Sequence, residues 1–286
     1  MVDKKNFLII DGNNLLYSSY YAFQRLPWSM KGGAIFLFLR VVISVLKKNR
    51  YQNLVVMFDG GGSNFRKSLL PEYKAQREKM PEELWEQLEA IKLLLTKTNV
   101  AYIQLVNYEA DDLIASFIKQ NTKNYPEATF DIFTRDKDLL QLLSENINIL
   151  KYINGKITLY TQEQFYYEYN FSPNSYVDYL SLIGDSADNI EGVKGIGPVN
   201  AKILVRQFHT LENIYQQIND LSDNNKKLLE SRQELALNNK KIISLKNDIP
   251  FSSLNCDFNW EEWKNNRELQ KFCADNKFWS IIKLLN

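Results

Sequence analysis

Histidine occurs once in this chain, at His209, and cysteine twice, at Cys256 and Cys273. Zinc and iron sites draw on imidazole or thiolate ligands, so such sites are disfavoured. The two cysteines form no Cys-x-x-Cys pair and suggest no disulfide framework, which leaves packed thiols and the cell interior as the default compartment. Long apolar runs are missing too. The stretch Ala34 to Leu46 is interrupted by Arg40 and is too short to cross a bilayer, and the apolar residues before Asp11 are too few for a signal peptide. The expectation is a cytoplasmic protein without membrane contact. Net charge is also scarce, formally +1, which taken alone argues against a nucleic-acid partner.

What is present changes that last reading. With 286 residues, 45% of them apolar and 13% aromatic, the chain can bury the core of one large domain or two smaller ones. Nine of its carboxylates fall in tight groups: Asp11, Asp59, Glu109 with Asp111 and Asp112, Asp136 with Asp138, and Asp185 with Asp188. Setting them aside leaves a surplus of roughly ten positive charges on the rest of the chain, a basic surface around an acidic pocket that suits a polyanionic substrate. Most groups follow an apolar run: Phe7-Leu8-Ile9-Ile10 precedes Asp11, Leu54 to Phe58 precedes Asp59, and Phe130 to Phe133 leads to Asp136. Buried parallel strands read this way, and their carboxyl ends hold the active sites of open α/β sheets. Like charges about 4 Å apart repel by roughly 4 kcal/mol at an effective dielectric near 20, so a convergent acidic pocket calls for cations. Hard oxygen ligands favour magnesium or manganese.

Strand and helix patterns alternate from Phe7 to about Leu150, which predicts an α/β doubly wound fold. Strands are expected over 7–11, 54–58, 101–105, 130–134 and 147–150, with helices over 14–23, 34–48, 82–98 and 110–121. From Thr161 the pattern is mostly helical, and a soft boundary near 160 divides a region 1–160 from a helical region 161–286. Asp185 and Asp188 have the i, i+3 spacing that puts both on one side of a helical turn. Between residues 60 and 80 lies a basic segment with Arg66, Lys67, Lys74, Arg77 and Lys79, and Tyr73 interleaved. A solvated basic helix is the plain reading of that segment. Gly195-Ile196-Gly197-Pro198 reads as a turn that opens a helix and presents backbone N–H groups to a phosphate. Trp260, Trp263 and Trp279 are expected to pack the C-terminal helices, and Phe165, Tyr166, Tyr167 and Tyr169 to lie in the core.

Taken in order, these segments resemble the 5′ nuclease domain of bacterial DNA polymerase I, in the flap endonuclease family. The resemblance is carried by Ile9-Ile10-Asp11-Gly12-Asn13-Asn14, Phe58-Asp59 with Phe65-Arg66, Tyr73-Lys74-Ala75-Gln76-Arg77, Glu109-Ala110-Asp111-Asp112, Asp136-Lys137-Asp138, Gly184-Asp185-Ser186-Ala187-Asp188-Asn189-Ile190 and Gly192-Val193-Lys194-Gly195-Ile196-Gly197. It implies a PIN-like core with a mostly parallel sheet over 1–160, a basic arch at about 60–80, and a helix-three-turn-helix element at about 180–207. It further implies that Asp11, Asp59, Glu109, Asp111 and Asp112 hold a first Mg2+ and that Asp136, Asp138, Asp185 and Asp188 hold a second, with Mn2+ as a substitute. Lys74 and Arg77, on one helical face of the arch, would steady the scissile phosphate. Arg66, Lys67, Tyr73, Lys194, Gly195, Gly197 and Lys202 would contact DNA, with K+ against carbonyls at the hairpin.

The activity so implied is a metal-dependent 5′-3′ exonuclease and flap endonuclease, acting as a monomer on DNA with 5′ ends, flaps or nicks and on RNA/DNA hybrids, in replication and repair. Three positions depart from the pattern: Ser18 and Val199 replace frequent basic residues, and Arg135 replaces a small one. Two other readings stand beside this one. A PIN-like ribonuclease would prefer single-stranded RNA to a 5′-flap duplex, and a non-catalytic DNA-structure-binding module would bind without cleaving.

Overall fold

In the computed structural model, residues 5–27, 30–49, 51–62, 65–153, 156–250 and 254–286 are described. Ser63 and Asn64 of the expected arch lie outside them. Six strands form the central sheet: β1 (Asn6–Asp11), β2 (Asn53–Asp59), β3 (Ala101–Leu105), β4 (Thr129–Phe133), β5 (Ile147–Ile153) and β6 (Lys156–Tyr160), in the order β3-β2-β1-β4-β5-β6. The first five pair in parallel, and β6 returns antiparallel along the β5 edge. The expected α/β sheet is there, with one strand unforeseen. β6 buries only Ile157 among exposed neighbours, so it gives no apolar run to read.

Side-chain alternation in the central strands feeds two cores. Phe7, Ile9, Val55 and Met57 point to one face of the sheet, and Leu8, Ile10, Val56 and Phe58 to the other. Four crossover or flanking helices complete the sandwich: α1 (Gly12–Gln24), α2 (Gly33–Lys48), α4 (Glu82–Lys97) and α5 (Ala110–Asn124), with the short α3 (Phe65–Leu69) between them in sequence. The register places the strand ends side by side. Asp11 of β1 lies opposite Met57 of β2, and Ile10 lies opposite Phe133 of β4, so Asp11, Asp59 and the segment after β4 share one rim. Gly12 lets α1 begin at once after β1: a Cβ there would stand 2.4 Å from the Phe58 ring and 2.8 Å from the Met57 carbonyl.

The second part is helical: α6 (Gln162–Tyr169), α7 (Tyr176–Ile183), α8 (Pro198–Phe208), α9 (Leu211–Gln216), α10 (Asp223–Glu230) and α11 (Gln233–Ile243). Between α7 and α8 the chain makes a two-residue antiparallel ladder, β7 (Gly184–Asp185) with β8 (Ile190–Glu191). Finally α12 (Trp260–Lys264), α13 (Arg267–Asp275) and α14 (Trp279–Leu285) close the chain, α13 packing on α4, α14 on α2 and α12 beside α13, and they bury Trp263, Leu269, Phe278 and Ile281. Trp260 joins them in part, whereas Trp279 is 58% exposed and does not serve as the packing residue expected. The aromatic series divides as well: Phe165 stacks on Tyr169 inside, while Tyr166 and Tyr167 face solvent.

Candidate active site

Asp11, Asp59, Glu109, Asp111 and Asp136 line one cleft of about 750 Å³ at the carboxyl rim of the sheet, together with Lys74, Arg77 and Arg135. Each acid is placed by the element that ends or begins beside it. Asp11 closes β1 and caps α1, its Oδ1 accepting the Asn14 N–H at 3.1 Å, while its Oδ2 accepts the Thr134 hydroxyl at 2.7 Å. Asp59 closes β2 and reaches the first turn of α5, where the Ala110 N–H donates to its Oδ1 at 2.8 Å. Asp111 sits in that same turn, where the positive end of the helix favours a negative charge.

Beside this group stands a second one. Asp138, Asp185 and Asp188 offer carboxylate oxygens that all lie within 4.8 Å of one another. Asp185 ends the β7 residue pair and Asp188 follows it through a single 3-10 turn, the one-sided arrangement their spacing predicts. Gly184, at φ +73°, makes this possible: a Cβ there would come within 2.4 Å of the Ile190 carbonyl across the ladder. Asp136 joins the two groups, since its Oδ1 accepts the Asp138 N–H at 2.9 Å and its charge acts on Asp11, Asp111 and Asp138.

The electrostatics of the cluster follow from its burial. Burial, reinforced by Asp59 and Asp136, pushes the Asp11 carboxyl up to about 7 despite its hydrogen bond from Thr134. Burial, with Asp136 and Asp188 nearby, does the same to Asp138, also to about 7. Burial and the charges of Asp136 and Asp11 raise Asp111 well above the usual carboxylate range. Moreover, Asp138 Oδ1 is buried with no hydrogen-bond partner. An orphaned anionic oxygen among converging carboxylates, with only oxygen donors around it, fits hard divalent cations. Asp11, Asp59, Asp111 and Asp136 on one side, and Asp138, Asp185 and Asp188 on the other, are the residues that could hold them.

Asp112 departs from the expected metal set. It is 1% exposed, and Arg66 grips both its oxygens at 2.6 and 2.7 Å while the Lys246 N–H donates to Oδ1 at 2.9 Å. Arg66 departs from the expected DNA contacts for the same reason: it is 2% exposed and its Nε also donates to the Ile242 carbonyl. The pair ties the base of the basic segment to α5 and α11. Tyr73 is buried as well, its hydroxyl 3.2 Å from both Glu109 and Asp188, and does not present its ring to a base.

The basic segment is not the helix that was expected. After α3, residues 71–76 form successive turns, with Lys74 at φ +53°. The turns dock on the Asp185–Asp188 loop: the Lys74 N–H donates to the Asp188 carbonyl at 3.1 Å, and the Gln76 amide donates to the Ser186 carbonyl at 2.7 Å. Both expected cations therefore reach the acids, Lys74 Nζ at 2.8 Å from Glu109 and Arg77 paired with Asp188. Glu109 is thereby held below its usual range, burial notwithstanding, by Lys74 and Arg66.

The sequence reading gave Asn13 and Asn14 no role of their own beyond the motif that contains them, and it did not single out Thr134. Asn13 Oδ1 accepts the Asp59 N–H and Asn14 Oδ1 the Arg135 N–H, both at 3.0 Å, so two neighbouring side chains bind the ends of two different strands. The Asn-Asn pair one glycine after an acid at a strand end was the available signal. Lys67 is exposed and shares a hollow with Asp59, Lys74, Arg77 and Glu109, whereas Lys194 is exposed on the helical part, where Gly195, at φ +91°, and Gly197 stand exposed at the start of α8. Lys202 folds back over the Tyr169 ring and donates to the Glu168 carbonyl. Ser18 donates to its own helix at Leu15, and Val199 is 76% exposed on α8.

Comparison with known proteins agrees with this layout. Residues 6–170 match the family described as 5′-3′ exonuclease, N-terminal resolvase-like domain, and residues 171–266 match the 5′-3′ exonuclease, C-terminal SAM fold. The chain is 32% identical to a 5′-3′ exonuclease of Mycoplasma genitalium, covering 98% of both chains. It is 34% identical to the DNA polymerase I of Caldicellulosiruptor bescii, where 97% of this chain covers 33% of the relative. In fold it is similar to the zinc-bound T5 5′-exonuclease, with a TM-score of 0.72 at 23% identity over 99% of this chain and 100% of the other. Among the described residues no helix is long and apolar enough to cross a membrane.

Proposed function

The chain belongs to the 5′-3′ exonuclease family, and from that premise we propose that it hydrolyses phosphodiester bonds at 5′ ends and 5′ flaps of DNA with two bound Mg2+ ions. The observation that carries the reading is the convergence of two groups of carboxylates, four at the rim of a parallel sheet and three beside them around the Asp185–Asp188 turn, with Lys74 and Arg77 reaching over them. Asp11, Asp59 and Asp111 would hold one ion, Asp138, Asp185 and Asp188 the other, and Asp136 stands between. When bound, such ions supply the acidity that lets water attack a phosphodiester and the charge that steadies the leaving oxygen.

The protein's own groups do the rest. Lys74 and Arg77 offer a point charge and a planar fork to the phosphate entering the cleft, leaving Glu109 and Asp188 as it arrives. Exposed Lys67 guides the 5′ strand toward the cleft. The turn at Gly195 and Gly197, opening α8 beside Lys194, grips the duplex backbone through its N–H groups. A K+ ion at that turn, Mn2+ as an alternative in the acidic site, RNA/DNA hybrids as further substrates, a monomeric state and the cytoplasm as compartment complete the proposal; these rest on the family resemblance.

The test is a 5′-flap duplex labelled at the flap end, incubated with the protein in EDTA or in millimolar Mg2+. Release of a short flap oligonucleotide only with Mg2+ is expected. Binding without cleavage in either Mg2+ or Mn2+ would overturn the catalytic reading.

A further inference from the structure

Thr134 is fully buried, directly behind β4, and its hydroxyl is used twice. The Asp136 N–H can only donate, and it donates to Thr134 Oγ1 at 2.9 Å. The single hydroxyl proton is therefore left for Asp11 Oδ2, 2.7 Å away. One side chain thus joins an acid at the end of β1 to the backbone of an acid behind β4. Asn14 closes a second tie between the same two segments, its N–H on Asp11 Oδ1 and its Oδ1 on the Arg135 N–H. With one donor on each oxygen, Asp11 is held in one orientation while it lines the cleft that it shares with Asp136.

We propose that Thr134 is a positioning residue, which sets the separation and orientation of Asp11 and Asp136 so that a divalent cation meets a preformed pair of carboxylates. This rests on the reading above that these acids hold cations. The bland alternative is that the hydroxyl only satisfies a buried carboxylate and contributes to stability. The two differ in what valine and serine do. Valine keeps the shape and loses both hydrogen bonds, whereas serine loses a methyl group and keeps both.

The measurement is calorimetric titration of the whole, EDTA-stripped protein with Mn2+ and with Ca2+, alongside its melting temperature. Hydrogen-bonding partners behind metal ligands are worth about 10–100-fold in affinity, so Thr134→Val should weaken binding of the tighter ion by about that factor, and Thr134→Ser should restore it to within about threefold. Thr134→Ala, which relieves any crowding by the valine methyl groups, serves as the second variant and should match Val. A lowered melting temperature with unchanged cation affinity in Val or Ala would overturn the proposal and leave Thr134 as a structural residue. If the wild-type protein itself binds neither ion at millimolar concentration, the metal reading of the site fails, and the proposal with it.

Discussion

Asp11 and Asp59 stand at the ends of strands and are held by neutral donors, the Thr134 hydroxyl and the backbone of Asn14 and Ala110. Asp185 and Asp188 stand on a single turn and are held by cations, Lys137 on the first and Lys74 with Arg77 on the second. Neutral donors orient a carboxylate and leave its charge in place. Burial, with the mutual repulsion of the acids added to it, therefore raises the strand-end group in pKa until a cation arrives. Cationic partners cancel the charge locally, yet they come from a segment that must also meet the substrate. One half of the site is rigid and unneutralised; the other is neutralised by groups that can be exchanged for a phosphate or a metal.

The largest effect should come from breaking the rigid half. Asp111→Asn keeps the size of the side chain and removes a charge that burial and the neighbouring acids raise well above the usual carboxylate range although Lys74 acts on it, so cleavage of a flap duplex should fall by roughly a thousandfold or more while duplex affinity stays the same. Full activity in that variant would undo the metal assignment.

The exchangeable half predicts a smaller change. In Lys74→Ala, Glu109 and Asp188 lose a partner that lies 2.8 Å from the first and 3.6 Å from the second. A single-turnover rate lower by about a hundredfold, with duplex affinity within about twofold, is expected for a charge that acts on the phosphate in the transition state. A loss confined to affinity would make Lys74 a phosphate anchor and leave the comparison without its functional half.

That contrast was only partly legible in the sequence. Apolar runs ending in Asp11 and Asp59 announced parallel strands with acids at the rim, because a strand buried on both faces needs every residue apolar until it leaves the core. The helical second part followed from its periodicity. The turns at 71–76 could not be read, because Lys, Glu and Gln favour a helix there and only docking on the 186–189 loop, with Lys74 at positive φ, makes them turn. The fate of Asp112 was equally hidden. Glu109, Asp111 and Asp112 are alike in sequence, and what separates them is Arg66, 46 residues earlier in the chain and buried against Asp112. Burial of an ion pair is a property of the assembled elements, and no local pattern signals it.

The smallest effect sharpens the comparison most. Without a bound cation, Asp11 and Asp138 titrate near 7, and Asp111 also lies well above its usual range. Unfolded carboxyls titrate near 4. Below pH 4 these groups are protonated in both states and contribute nothing to the pH dependence. Between about 4 and 7 the folded chain holds protons that the unfolded chain has released, so stability falls as pH rises, and above 7 the penalty is complete. Glu109 acts in the opposite sense: its pKa is lowered, so its stabilisation is fully present above the unfolded value and is lost only as the solution becomes more acidic. In EDTA the melting temperature should therefore drop by on the order of 5 °C between pH 5 and pH 8. Saturating Mg2+ should abolish the drop, because it favours the ionised acids. Asp11→Asn and Asp138→Asn should each flatten the profile in EDTA. Asp138 belongs to the second group but has a buried oxygen with no partner, so a flattened profile for both variants would place the dividing line between acids with a cationic partner and acids without one, whatever element carries them. A profile that stays steep in both would mean that the strain of the acidic cluster lies elsewhere in the cleft.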